Sequence, residues 1–250
     1  MPAPRRLQRD RIDYPLDAGR RIEIERVRDP RARRIRLLVG ERGVRLTVPR
    51  GASLREAEQF LQGQHDWLRL QLDRRAALPP PPTLERGRAT SIPLRGGRLP
   101  LRWDEARYAS AVHAGDALVI GLPARAPDRT IGRLLREFYA SEAKRDLAGW
   151  LPKYLAALPR PPSAVRFSPL ASLWGSLSPR GAVSLDLSLV LGPPSAFEYV
   201  LVHELCHLLQ PNHSPAFWRE VSARWPDWRR DRDWLRGEGM QLKAVLRALL

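Results

Sequence analysis

Cysteine is nearly absent from this chain, with one residue, Cys206, in 250. A single thiol excludes an internal disulfide framework and points to a reducing compartment, the cytoplasm. Lysine is almost as scarce: of 43 basic residues, only Lys144, Lys153 and Lys243 are lysines. Such an arginine excess beside abundant Ala, Leu and Pro is the mark of GC-rich coding. The formal net charge of +16 is therefore not in itself a nucleic-acid footprint. The charge is also spread along the chain, which implies weak non-specific attraction to nucleic acid and other polyanions. No apolar run approaches the roughly 18 residues a membrane span needs, so no membrane partner is expected. Met1-Pro2-Ala3-Pro4-Arg5-Arg6 has no apolar stretch behind it and does not read as a secretory signal. What remains, with 43% hydrophobic residues and eight Trp, is a folded globular chain with room for one large domain or two small ones.

Histidine is scarce too, and three of the five fall in one place: His203, His207 and His213. In Val202-His203-Glu204-Leu205-Cys206-His207, two imidazoles four residues apart lie about 40° from each other on one helix face. That places two nitrogen ligands side by side for one metal ion. Glu204 lies about 60° round from His207, near enough to hold a metal-bound water without ligating the metal. This His-Glu-x-x-His arrangement is that of zinc hydrolases, where the Glu takes the proton of an acidified water. The lead-in, Phe197-Glu198-Tyr199-Val200-Leu201-Val202, has no helix breaker. Leu208-Leu209 prolong the pattern, and Pro211 with Asn212 stops it. His213 follows that stop, where the chain can fold back and offer a third ligand. Three protein ligands with one open position suit a catalytic zinc.

The rest of the chain reads as strands and helices around this helix. Residues 1–20 are expected as a loose basic arm. Residues 21–78 hold an alternating strand (Ile22 to Val27), a hairpin (Ile35 to Val39, Val44 to Val48) and one helix to about Leu72, opened by the capping box Ser53-Leu54-Arg55-Glu56. His65 on that helix and His113 beside a turn are expected at the surface without ligand roles. Pro79 to Thr83 form a stiff connector. Residues 84–126 are β-rich, with Pro93 and Pro100 confining their strands to edges. From 127 a long helix runs to Leu151, and two strands (Ala164 to Phe167, Ala182 to Leu187) precede the metal-binding helix. Ser195 and Glu198 form a second capping-box pattern there. A hairpin directly before the metal helix offers an edge that an extended peptide can join. Ser214 and Pro215 open a further helix, whose Phe217, Trp218, Val221 and Trp225 are expected to pack behind the metal helix.

Tyr199 to Leu208, followed by Asn212-His213-Ser214-Pro215-Ala216-Phe217-Trp218, resembles the YgjP-like zinc metallopeptidase family, related to the SprT-like and WLM groups. Trp174-Gly175-Ser176 resembles that family's Trp-Gly-Ser-Cys segment, and the N-terminal hairpin, capping-box helix and Trp67 are similar as well. The resemblance implies one Zn2+ per chain on His203, His207 and His213, with Glu204 as general base and a peptide or protein as substrate. Leu177 stands where the family has Cys, Asp186 where it has Asn, and Ser172-Leu173 where basic residues are common. These departures leave the ligand set intact and bear on substrate contacts near the hairpin.

The expected architecture is α+β, a β-rich N-terminal part followed by a zincin-like catalytic part over 127–250. The expected activity is peptide-bond hydrolysis, with Tyr199 and nearby arginines as candidate oxyanion donors. Two other readings use the same residues: a metal-dependent phosphohydrolase acting on nucleotides in an Arg-rich cleft, and a nucleic-acid-binding module with a non-catalytic zinc. The sequence leaves the oligomeric state open.

Overall fold

The computed structural model describes residues 7–40, 43–77, 84–170 and 173–250. The chain divides into two compact units, Met1–Pro80 and Pro81–Leu250. The expected connector, Pro79 to Thr83, lies outside the described residues.

The first unit is a four-stranded sheet with two helices. Strands β1 (Gln8–Asp17), β2 (Arg20–Asp29), β3 (Arg36–Gly40) and β4 (Gly43–Pro49) lie in the order β1-β2-β4-β3. β1 and β2 form an antiparallel hairpin, β2 and β4 are parallel, and β3 and β4 are antiparallel. The loose arm expected at the N-terminus is thus mostly a strand. Its alternation of Ile12, Tyr14 and Leu16 is masked by Arg and Asp, and its pairing with β2 is set by a turn at Gly19 (φ +98°). The single helix expected to Leu72 is two, α1 (Leu54–Gly63) and α2 (His65–Ala76), separated at Gln64. Gly63 lacks a side chain to hold helical dihedrals, and the break lets both helices turn Ala57, Leu61 and Leu68 onto the sheet. There they bury Leu16, Ile24, Val44, Leu46 and Val48.

The second unit contains the expected boundary at residue 127, but one continuous core runs across it, from Ile92 to Leu249. β5 (Ser91–Leu94), β6 (Gly97–Glu105), β7 (Ser110–Ala114) and β8 (Ala117–Leu122) form a sheet ordered β5-β6-β8-β7. β6 is internal despite Pro100. Pairing with β8 begins only at Leu101, so the proline has a single neighbour, Ser91 of β5. β7 was not foreseen; His113 on it is half-buried, with Nδ1 3.3 Å from Glu142 Oε1. Next come α3 (Arg129–Trp150) and the short α4 (Pro152–Leu155), the proline marking the join as its missing N–H demands.

β9 (Ala164–Ser168), β10 (Gly175–Leu177) and β11 (Ala182–Asp186) form a small sheet ordered β10-β11-β9, leaving β10 on an edge. A 3₁₀ turn (Leu187–Leu191) leads into α5 (Pro194–Cys206), followed by α6 (Pro215–Arg224), α7 (Trp228–Gly237) and α8 (Gly239–Leu249). The fold is therefore mixed α+β, with small sheets and eight helices among the described residues. No described helix is long and apolar enough to cross a membrane.

Candidate metal centre

α5 is a buried helix: every residue from Ala196 to Val202 is buried, as are Leu205 and Cys206. Ser195 and Glu198 on it are held by protein partners. The expected capping box does not form. The helix starts at Pro194, Ser195 Oγ donates to Asp231 Oδ1 at 2.9 Å, and Glu198 accepts from Tyr154 Oη at 2.8 Å and Lys153 Nζ at 3.1 Å. α5 also ends earlier than the run through Leu208-Leu209 suggests. Those two residues bond to carbonyls three residues back in a tight turn, leaving His207 as the C-cap.

That turn orients the imidazoles. His207 Nδ1 lies 3.1 Å from the Gln210 carbonyl, which can only accept, so Nδ1 carries the proton and Nε2 keeps its lone pair. Ser214 then caps α6, its Oγ accepting from Phe217 N, and His213 is carried back over α5. His213 Nε2 lies 2.9 Å from His203 Nε2. One ligand atom from each of His203, His207 and His213 falls within 4.8 Å of the others. Aromatic rings hold them there. Phe217, fully buried, stacks on His207 at 4.5 Å, and Trp218 stacks on His213 and on Trp228. The expected packing of Phe217, Trp218 and Val221 behind α5 is thus direct contact with the imidazoles for the first two.

Burial, with the neighbouring imidazoles, pushes His203 down to about 3. Burial lowers His207 as well, opposed by its bond to Gln210. Both rings are neutral near pH 7, the state in which imidazole ligates a metal. Three imidazoles with no thiolate or carboxylate among them make a donor set that fits Zn2+ with one position left open.

Glu204 points into the same space. It is only 6% exposed, and burial raises its carboxyl to about 7. Gly175 of β10 lies directly against it: a Cβ there would come within 2.6 Å of Glu204 Cγ and 2.7 Å of Oε1. Only glycine lets the strand pass this close.

β10 is itself anchored from the far side. Lys243 of α8, 7% exposed, donates to Leu170 O (2.8 Å), Leu173 O (2.9 Å) and Asp186 Oδ2 (2.7 Å), and lies over the Trp174 ring. Asp186 also accepts from Leu170 N and from the backbone and hydroxyl of Ser188. An ammonium has three N–H groups for these three acceptors; a planar guanidinium does not match their arrangement. Asp186, expected near the substrate, is instead a buried part of this anchor and is not in the cleft wall. Sequence reading missed Lys243, although a lysine in so arginine-rich a chain is a signal. It also missed the contact of Gly175 with Glu204. Of the other histidines, His65 accepts from or donates to Tyr14 Oη at 3.1 Å in the first unit and takes no part here.

The result is a cleft of about 730 Å3, with the three histidines and Glu204 on its floor, Tyr199 beside them and β10 along one wall. Burial pushes the Tyr199 phenol up to about 12, so its hydroxyl remains a donor across the neutral range.

A family model described as the YgjP-like metallopeptidase domain matches residues 33–238. No functionally curated protein matches the chain. Among solved structures, that of the metallopeptidase zymogen of Pyrococcus abyssi abylysin is similar, at 28% identity over 41% of this chain and 92% of that one, with a TM-score of 0.29. The family match takes in the His-Glu-x-x-His helix, the returning histidine and the strand against Glu204, and by it this chain belongs to the YgjP-like metallopeptidases.

Proposed function

We propose that the protein is a zinc-dependent metallopeptidase of zincin-like construction, with His203, His207 and His213 as metal ligands and Glu204 as general base. The observation that carries this reading is the convergence of three imidazole nitrogens within 4.8 Å beside a buried carboxyl. Zinc bound there would acidify a water molecule and polarise a peptide carbonyl. The chain's own groups supply the rest. Glu204, whose carboxyl is raised towards neutrality by burial, accepts a proton at Oε1 or Oε2 and returns it to the leaving amine. Gly175 packs against Glu204, and among the described residues no hydrogen-bond partner competes for the proton.

Tyr199 lines the cleft, and its hydroxyl makes no hydrogen bond to a described protein group, which leaves it available to a developing oxyanion. β10 has one neighbour in its sheet, and its free edge offers backbone donors and acceptors to an extended peptide. That edge favours a peptide over a nucleotide substrate, since a phosphate chain has no backbone ladder to complete.

The test is hydrolysis of a broad peptide mixture by zinc-loaded wild type and Glu204→Gln. The reading predicts a fall of about 10²–10⁴-fold in kcat with the metal still bound. Equal turnover by the two proteins would sink it.

A further inference from the structure

The cleft wall carries three arginines, and they are grouped at opposite ends of β10. Arg160 stands at the Ser178–Gly181 turn, just after the strand: a Cβ on Gly181 would lie 3.7 Å from Arg160 Nη2. It has no ion-pair or hydrogen-bond partner among the described residues, and it is exposed. Arg232 and Arg236 lie at the other end. They are one helical turn apart on α7, on the side that flanks Tyr199, near where Trp174 packs on Gly239. These two share one exposed partner, Asp233, at 3.2 and 3.8 Å, so that pair keeps an unbalanced positive charge. Among the described residues Glu204 is the only carboxylate in the cleft lining, and it sits on the floor.

We infer that the cleft selects peptides carrying acidic side chains on both sides of the scissile bond, one flank read by Arg160 and the other by Arg232 and Arg236. This rests on the peptidase reading above. The spacing supports it: from Trp174 to Ser178 the strand advances four residues, or about 13 Å at 3.3 Å each. An extended substrate beside β10 therefore passes both arginine groups within a few residues of the bond placed at Glu204. A chain-terminal carboxylate satisfies only one end. A phosphate ligand would meet the arginines but leave the strand edge unpaired. Guanidinium is also the cation best shaped for carboxylate recognition.

The experiment uses the zinc-loaded full-length protein and internally quenched peptides blocked at both termini. A common central sequence is flanked by three Glu, three Gln or three Lys, before it, after it, or on both sides. Binding of the same peptides to zinc-loaded Glu204→Gln is followed by fluorescence anisotropy, a readout that needs no turnover. Glu should be preferred over Lys on each flank by about 10-fold or more in both kcat/KM and affinity, shrinking with added salt. Arg160→Glu should abolish or invert the preference on one flank only, and Arg232→Gln with Arg236→Gln on the other. Because each variant is judged by its own Glu-to-Lys ratio, a general loss of activity cancels. Arg160→Lys should retain a preference of the original sign.

Equal cleavage and binding of the Glu and Lys series by wild type overturns the specificity and leaves the peptidase reading standing. A Glu preference that appears only when the C-terminus is freed assigns the arginines to a terminal carboxylate and overturns the two-flank proposal. Failure to cleave any peptide, with hydrolysis of nucleoside triphosphates instead, overturns both.

Discussion

The pattern Ser-x-x-Glu opens α1 in the first unit and stands at the start of α5 in the second, and the two units use it differently. At Ser53 and Glu56 it forms a reciprocal capping box: Ser53 Oγ accepts from Glu56 N, and Glu56 Oε2 accepts from Ser53 N. At Ser195 and Glu198 the same side chains turn away from the backbone to Asp231 and to Tyr154 with Lys153. The difference is burial. α1 begins at the surface, where the nearest groups are its own orphan N–H donors. α5 is buried, and a carboxylate there requires partners that compensate for lost water, which a distant phenol and ammonium provide.

The contrast extends to each unit's charges. In the first unit, ion pairs such as Arg11–Glu23, Arg21–Asp13 and Arg26–Asp10 run across neighbouring strands at the surface. In the second, buried carboxylates tie elements far apart in sequence: Asp186 to Lys243, and Glu142 to Arg95 and His113. Surface pairs of the first kind contribute little, while opening a buried pair is expensive. Of these, the Asp186–Lys243 pair holds a segment that shapes the cleft, through Leu173.

The sharpest way to break this comparison is Lys243→Ala. It leaves Asp186 and two carbonyls without their ammonium, and unfolding measurements should show a loss of about 3–5 kcal/mol. Arg26→Ala in the first unit should cost no more than about 1 kcal/mol by the same method. Next is Gly175→Ala, which forces β10 and Glu204 apart while leaving the histidines in place. Bound metal should persist while kcat falls about 10²-fold, the usual consequence of a 1 Å misplacement. Smallest is the pair of Ser-x-x-Glu substitutions. Glu198→Ala, which strands the Tyr154 hydroxyl, should cost about 1–3 kcal/mol in denaturant unfolding, and Ser53→Ala about 1 kcal/mol. Equal costs would erase the distinction between the units.

These same features separate what was legible in the sequence from what was not. His203 and His207 declare themselves because helical periodicity alone places them together, and Ser214-Pro215 announces the helix that returns His213. The β3–β4 hairpin and the capping box at Ser53 are equally local. β1 escaped because Ile12, Tyr14 and Leu16 are its apolar positions in a stretch otherwise of Gln, Arg, Asp and Pro, although that apolar face is what the first unit's core needs. The partners of Asp186, Glu142 and Glu198 escaped for a different reason. Lys243, Arg95, His113, Tyr154 and Lys153 are each more than 25 residues away on another element, with no periodicity linking them to their carboxylates. Gly175 was visible as part of a family segment, but its closeness to Glu204 is a tertiary fact.

The most direct measurement is metal content by mass spectrometry of the purified native protein, with wild type beside His203→Ala and Glu204→Gln. The account predicts about one zinc per chain in wild type and in Glu204→Gln, as a single three-histidine site requires, and none in His203→Ala. Zinc retained at full stoichiometry by His203→Ala, or a folded wild type that takes up no metal, would contradict it.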